Sequence, residues 1–434
     1  MSPHAPSTFS FVHAADLHLD TPFHGIGEVA PFVAASLREA SLAAFDAIVE
    51  LAIERDAAFL VVAGDIYDGA DRGLRAQLRF RDGLERLSRH DIASFVVHGN
   101  HDPVLTGWSA IRSWPELVTV FGSEQVEVAT VHRHGLPIAT VQGISYATAA
   151  TTENLAVRFS RPPGPGLAVG VLHCNVTGVA SGYANYSPCT LEDLRRTGLD
   201  YLALGHIHER HVIGPSTDSR QWVVYPGNSQ ARSPRRTEQS PKGAVVVHVA
   251  DGEVEQVEFV PCDRVRFDEV GCDISHLDDL GELEDSLADL ARQRLANADG
   301  RSLVLRGRLH GRGALHRDLL RPGTLDGLLR VLRDMTDERE PFVWWDGLID
   351  DSAPEFDLDA IRQRGDFVAD LLEIGEQLAR EDTVLTGLLN DLADEAPRAL
   401  GARARELLLE PSSVLELARR ATLLALDEVS GEGT

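Results

Sequence analysis

Ten residues in five short stretches carry side chains that could do chemistry together. They are Asp16 and His18 in ADLH, Asp65 and Asp68 in GDIYD, Asn100, His101 and Asp102 in GNHD, His173 in LHCN, and His206 and His208 in GHIH. Seven of them, Asp16, His18, Asp65, Asn100, His173, His206 and His208, offer two carboxylates, one amide oxygen and four imidazoles. That is too many donors for one tetrahedral zinc and suits two ions of five or six coordination. A carboxylate has two oxygens, so Asp65 can bridge both ions. Two ions about 3.5–4 Å apart hold a hydroxide between them and clamp a phosphoryl oxygen. Mixed nitrogen and oxygen ligands without thiolate favour Mn, Fe or Zn and disfavour an all-oxygen Mg site.

The elements that must position these groups are legible around them. Each stretch follows an apolar run: FSFVHA, AAFLVVA, IASFVV, LAVGVL and LDYLAL read as buried strands. Polar residues just beyond such strands sit where α/β sheets place ligands. The i, i+2 spacing in DLH and HIH puts both side chains on one face of an extended segment. Gly64, Gly99 and Gly205 each precede or flank a polar residue and permit a sharp turn. Residues 36–55 and 72–90 have helical periodicity, the second rich in arginine. Asp251-Gly252 marks a hairpin. Beyond about residue 262 a second pattern begins: a strand at 265–274, an acidic helix at 276–297, a strand at 301–309, a helix at 315–337 and a strand at PFVWWDGLI. From about 356 the chain reads as helical and acidic, with Ser413 and Glu416 spaced as a capping box after Pro411. The expected domains are 1–262, 263–354 and 355–434.

The chain has 434 residues and a formal net charge of −26, which argues against a generic basic nucleic-acid binder. Acids outnumber bases 38 to 21 in 263–434 and 29 to 20 in 1–262. Of the 41 basic residues only Lys242 is lysine, which reads as an arginine-rich composition rather than a functional signal. Four scattered cysteines without a CxxC suggest neither a disulfide framework nor a zinc knuckle, so a reducing cytoplasm is expected. No signal peptide or membrane span is read.

In order, D-x-H, G-D-x-x-D, G-N-H-D, H and G-H-x-H resemble the motif set of the calcineurin-like metallophosphoesterases. ADLHLDTPF, GDIYD, LDYLALGHIH and YPGNSQ look like the DNA-repair nuclease branch, the SbcD- and YhaO-like proteins. The resemblance is strong over about 9–260 and weaker beyond. It implies an α/β fold, an αββα sandwich carrying a small α/β capping domain and a helical C-terminal tail. It places one ion on Asp16, His18, Asp65 and His208 and the other on Asp65, Asn100, His173 and His206, Mn2+ foremost, with Fe or Zn as alternatives. It makes His101 the group that stabilises the transition state or protonates the leaving oxygen, with Asp102 orienting its ring. It implies phosphodiester hydrolysis of DNA by a dimetal-bridged hydroxide, as exonuclease and single-strand endonuclease, with a separate SMC-like coiled-coil ATPase, since no GxxxxGK[ST] occurs here. It also leaves room for a homodimer and gives no role to a membrane. One departure touches substrate grip: some nucleases of this branch carry histidine where Asp68 stands.

Other readings compete. The same metals serve a phosphatase or nucleotide phosphodiesterase, and a scaffold regulating an ATPase would keep the fold with a vestigial site. Arg232, Arg235 and Arg236 are candidates for phosphate contact, against a solvated charge run. Asp68 and Asp102 each divide between supporting the site and capping a loop, and Asp20 reads as a turn residue. His13 and His98 read as strand residues of the core, and Trp344 and Trp345 as core rather than base-stacking groups. His24 and His211 lie near the motifs in sequence, Cys174 reads as filler, and helix 72–90 as solvated rather than a DNA track.

Overall fold

In the computed structural model the described residues are 8–21, 30–69, 73–106, 108–163, 166–179, 184–217, 219–337, 339–380, 419, 421–426 and 429. His24 and the Pro411, Ser413 and Glu416 signal lie outside them.

Strand β1 (Thr8–Ala14) leads to helix α1 (Pro31–Glu54), then β2 (Phe59–Ala63), α2 (Leu74–Arg89), β3 (Ala93–Val97) and β4 (Val118–Val120). There follow β5 (Glu127–Arg133), β6 (Leu136–Gly143), β7 (Leu167–His173), α3 (Leu191–Arg196), β8 (Tyr201–Gly205), β9 (His211–Ile213), β10 (Trp222–Tyr225), β11 (Gly243–Ala250) and β12 (Glu253–Pro261). One sheet runs β12-β11-β1-β2-β3-β4 and the other β5-β6-β7-β8-β10-β9. β1, β2 and β3 are parallel neighbours, as are β7 and β8. Parallel strands buried on both faces need near-continuous apolar runs, and FLVVA and LAVGVLH supply them.

Side chains of both sheets meet in one core: Phe11, Phe59, Val61 and Val245 from the first, Val141, Val169 and Tyr201 from the second. Phe11 stacks on Phe59 with ring centroids 4.5 Å apart. On the outer face of the first sheet, Val12, Leu60, Val62 and Val96 pack against Phe45 and Ile48 of α1 and Phe80 and Leu84 of α2. The outer face of the second is covered by Leu155 of a 3-10 turn and Leu194 of α3. The result is an αββα sandwich, as the motifs implied. His13 is buried with Nδ1 3.0 Å from the Tyr201 hydroxyl, and His98 is buried as well, both in the core as expected.

A third sheet orders β13 (Val265–Asp273), β14 (Ser302–Arg312) and β15 (Val343–Ala353), with α4 (Leu280–Ala296) between its first two strands. Phe267, Val304, Phe342 and Trp344 pack against Val33 and Leu37 of α1, so Trp344 is core, and Trp345 is buried too. The helix expected at 315–337 is instead α5 (His316–Leu319) and α6 (Thr324–Asp334). Pro322 and Gly323, the latter at φ 83°, break it. By compactness the chain divides into one unit of 1–273, 279–310 and 321–351 and a second of 274–278, 311–320 and 352–434. In the second unit, α7 (Leu358–Gln363) and α8 (Phe367–Arg380) bury Ile361, Val368 and Leu372 with Leu426. Among the described residues no helix is long and apolar enough to cross a membrane.

The two sheets approach closely at Gly205. A Cβ on Gly205, the end of β8, would lie 1.8 Å from the carbonyl oxygen of Ala63, the end of β2. Gly205→Ala should therefore cost about 3 kcal/mol or more in urea unfolding, above the usual range for overpacking. Gly252→Ala, at φ 80° in the open hairpin turn, should cost about 1 kcal/mol. Equal losses would show that the close approach at Gly205 is not a constraint.

Candidate metal centre

All five motif stretches leave the C-terminal ends of parallel strands. Asp16 and His18 follow β1, Asp65 and Asp68 follow β2, and Asn100 and His101 follow β3. His173 ends β7, and His206 and His208 follow β8. The chain beyond β1 and β2 stays paired: Asp16 N–H donates to Gly64 O, His18 N–H to Asp65 O and Leu19 N–H to Ile66 O, at 2.9–3.1 Å. Those bonds tie the turn that carries Asp16 and His18 to the turn that carries Asp65. Asp16, His18, Asp65 and His206 hold left-handed φ of 50°, 42°, 49° and 97°, a strain that marks constrained functional backbone.

Asp65 is the centre of the arrangement. Its Oδ2 lies 3.4 Å from His173 Nε2, on the second sheet, and 3.9 Å from His18 Nε2, on the first. Its Oδ1 accepts the His101 backbone N–H at 2.9 Å. Asn100 Oδ1 is 3.0 Å from the same His173 Nε2, and His173 Nδ1–H donates to Ala63 O. His18 Nε2 and His208 Nε2 face each other at 3.2 Å. Asp16 accepts the His206 backbone N–H on both oxygens, and the His206 ring donates from Nε2 to Ala184 O at 2.7 Å, so Nδ1 is the atom an ion would meet. The seven expected donors are thus brought together in one place, across two sheets.

This donor set fits cations. Asp16 and Asp65 are buried carboxylates, which need compensating positive charge. Ligating atoms of Asp16, His18 and His208 lie within 4.8 Å of one another, and so do those of Asp16, Asp65 and His173. Two imidazole nitrogens 3.2 Å apart cannot aim lone pairs at each other without a proton or an ion between them, and among the described residues buried His18 Nδ1 has no hydrogen-bond partner, with Asp68 Oδ1 3.6 Å away. Burial pushes His18 down to about 3, and burial with the His173 charge pushes His206 down to about 4, so both are neutral donors. Burial pushes Asp16 up to about 6. Burial would lower His173, but the Asp65 and Asp16 carboxylates outweigh it and raise it to about 9. The same imidazolium holds Asp65 well below the carboxylate range against burial.

His101 adjoins this group, its ring 4.9 Å from that of His18, and with His18 and Asp68 it offers a third set of donor atoms within 4.8 Å of one another. Its Nδ1 lies 2.9 Å from Asp68 Oδ1, a bond that raises its pKa against the burial that would lower it. Asp68 also pairs with Arg232 through Oδ2. The expectation that Asp102 orients the His101 ring is corrected. Asp102 accepts from Gly99 N at 2.8 Å and Ile66 N at 3.0 Å and faces His98 Nδ1 at 3.0 Å. Its short side chain points back under its own turn, so it shapes the loop, and Asp68 from the neighbouring strand end holds the ring. All three arginines line a cavity of about 930 Å3 shared with Asn100, His101 and His208, and Arg232 is tied there to Asp68. His211 sits on β9, edge-on to the Tyr225 ring. Asp20 takes the left-handed φ of a turn residue.

Sequence reading missed Glu238. It ends the 3-10 turn Arg236–Glu238, in a stretch that reads as an interrupting polar loop. Its Oε1 accepts from His208 Nδ1 at 2.8 Å and its Oε2 from Asn228 Nδ2 at 2.8 Å. Lys242, the sole lysine, is buried and donates from Nζ to His208 O at 2.8 Å and Thr237 O at 2.9 Å. A lone lysine in an arginine-rich chain was the one available signal.

The chain matches the calcineurin-like phosphoesterase family over residues 9–210 and the middle domain of metallophosphoesterase YhaO over 267–353. It is 34% identical over 353 residues to the uncharacterized metallophosphoesterase YhaO of Bacillus subtilis, covering 80% of this chain and 83% of that one. It is 25% identical over 234 residues to the DNA double-strand break repair protein Mre11 of Thermoplasma acidophilum, covering 49% of this chain and 57% of that one. The crystal structure of a dimetal phosphatase from Danio rerio aligns at 13% identity with a TM-score of 0.33, over 58% of this chain and 99% of that one, a likeness too slight to carry an argument.

The two aspartates beside His101 should separate in mutagenesis. Asp68→Asn should lower kcat on bis-p-nitrophenyl phosphate about 10–100-fold with stability little changed. Asp102→Asn sets an amide against two backbone N–H donors and should cost about 1–3 kcal/mol in urea unfolding. The reverse pattern would restore Asp102 as the group that orients His101.

Proposed function

The chain belongs to the calcineurin-like phosphoesterase family, with a YhaO-like middle region, and is a metal-dependent phosphoester hydrolase; we propose that its substrate is DNA, cleaved as a phosphodiester. One observation carries the reading: a single oxygen of Asp65 faces imidazole nitrogens from both sheets, with His101 beside it on Asp68. Residues on the first sheet that would hold an ion are Asp16, His18, Asp65 and, from β8, His208. Asp65, Asn100, His173 and His206 would hold the other. Mn2+ is the ion we propose, since the donors mix nitrogen with oxygen and lack thiolate. Bound there, two divalent ions supply Lewis-acid charge and a water of lowered pKa.

The protein's own groups do the rest. Asp65 and Asp16 set the negative charge that retains cations. Asp68 holds the His101 ring by Nδ1, which turns Nε2 outward, where it can give a proton to the departing sugar oxygen. Arg235 and Arg236, on the cavity wall, would meet phosphate oxygens flanking the scissile one. A cavity of about 930 Å3 exceeds what one phosphate needs. The Mre11 likeness supports DNA over a small phosphomonoester, and the overall charge of −26 favours the phosphatase alternative. We further propose a separate SMC-like coiled-coil ATPase as partner, docked through the acidic C-terminal segment, and a homodimer in the cytoplasm.

The test uses purified protein with Mn2+ or EDTA on 3′-labelled duplex and single-stranded DNA, beside bis-p-nitrophenyl phosphate and p-nitrophenyl phosphate. Mn2+-dependent DNA cleavage is expected, lowered about 100–10,000-fold by His101→Gln. Hydrolysis of the monoester alone would transfer the reading to a phosphatase.

A further inference from the structure

We infer that Glu238 is the positioning residue that fixes the His208 proton on Nδ1 and so presents Nε2 to the metal site. The inference rests on the reading of His208 as a metal ligand. A carboxylate only accepts, so the 2.8 Å contact of Glu238 Oε1 with His208 Nδ1 requires Nδ1–H. In a neutral imidazole the lone pair is then on Nε2, the atom that faces His18 Nε2 at 3.2 Å, and His208 groups with Asp16 and His18 as a set that could hold an ion.

Glu238 is itself held. Asn228 Nδ2 donates to its Oε2 at 2.8 Å, and buried Lys242 Nζ stands 3.8 Å from the same oxygen. Lys242 also grips the His208 carbonyl at 2.8 Å, and the Asn228 N–H reaches it at 3.4 Å. Gly227 lets the loop lie against that carbonyl: a Cβ there would stand 2.8 Å from His208 O. Ring and backbone of one ligand are thus fixed by a single loop, 227–242, that carries no ligand of its own. Glutamine at 238 would keep the shape. Its amide would have to set a donor against Asn228 Nδ2 or against His208 Nδ1–H, so one of the two bonds is lost.

The experiment compares wild type, Glu238→Ala and Glu238→Gln by two readouts. Mn2+ uptake is followed by calorimetry on chelator-treated protein. The His208 tautomer is followed by two-bond 1H–15N correlation of labelled histidine in the same metal-free protein. Wild type should bind two Mn2+ and show His208 protonated on Nδ1. Glu238→Ala should weaken one Mn2+ about 10–100-fold, leave the other within about threefold, and move His208 toward Nε2–H. Glu238→Gln should fall between, and it decides the matter if the alanine variant does not fold. Two ions bound with wild-type affinity and an unchanged tautomer would overturn the inference. If wild type bound no Mn2+, the metal reading would fail, and the tautomer comparison alone would uphold or overturn the role of Glu238.

Discussion

The carboxylate of Asp65 sets the constraint that the rest of the site obeys. It is buried, it stands at the end of one sheet, and one of its oxygens faces a histidine from each sheet. A buried charge without partners would be expelled or protonated. Holding it ionised requires imidazoles or cations close by, and these come from strands far apart in sequence. The two sheets must therefore approach until backbone meets backbone, which only a glycine at 205 allows. The left-handed backbone at Asp16, His18, Asp65 and His206 is the local cost of turning four donors inward at once. The core between the sheets, with Phe11, Phe59 and Tyr201 packed in direct contact, supplies the rigidity that sustains this strain.

A second level of support comes from the loop after β10. Through Arg232 it reaches Asp68, which holds His101; through Glu238 and Lys242 it reaches the ring and carbonyl of His208. His101, the proposed proton donor, and His208, one of the groups suited to an ion, are thus tied to the same segment. A shift of that loop would be felt at both, whereas His173 and Asn100 are held by the strands themselves.

What the sequence disclosed follows from what is local. The ligand motifs stand immediately after apolar runs, so their convergence at strand ends could be read without coordinates. Side-chain pairings between loops could not. Asp102 is next to His101 in the chain yet turns away beneath Gly99, while Asp68, on another strand, makes the contact. Arg232 offered a free positive charge to the eye, and only geometry shows it tied to Asp68. β4 and β5 were passed over because β4 is three residues long and β5 is largely exposed, which leaves a weak period of two. The helix read across 315–337 ignored the Pro322-Gly323 pair, whose backbone preferences override the apolar spacing on either side.

The acidity of the chain does not by itself decide what the cavity binds, because charge acts over about a Debye length, roughly 8–10 Å in physiological salt. The arginine-rich α2 shows how local the matter is. Arg75 pairs with Glu39, Arg79 with Asp46 and Arg86 with Glu50, all on α1, so a helix that looks basic in sequence is neutralised by its neighbour. The third sheet repeats the pattern, with Arg308 set between Glu269 and Asp351 and Arg306 on Asp346. Arg232 is paired in the same way. Arg232, Arg235 and Arg236 differ from the helix and sheet arginines in position, since all three stand on the cavity wall with His101 and His208. The same wall carries the carboxylates of Asp65 and Glu238 beside the imidazoles of His101, His206 and His208. Charge that acts on an anion at that wall must come from groups within about a Debye length of it, whatever the net charge of the chain.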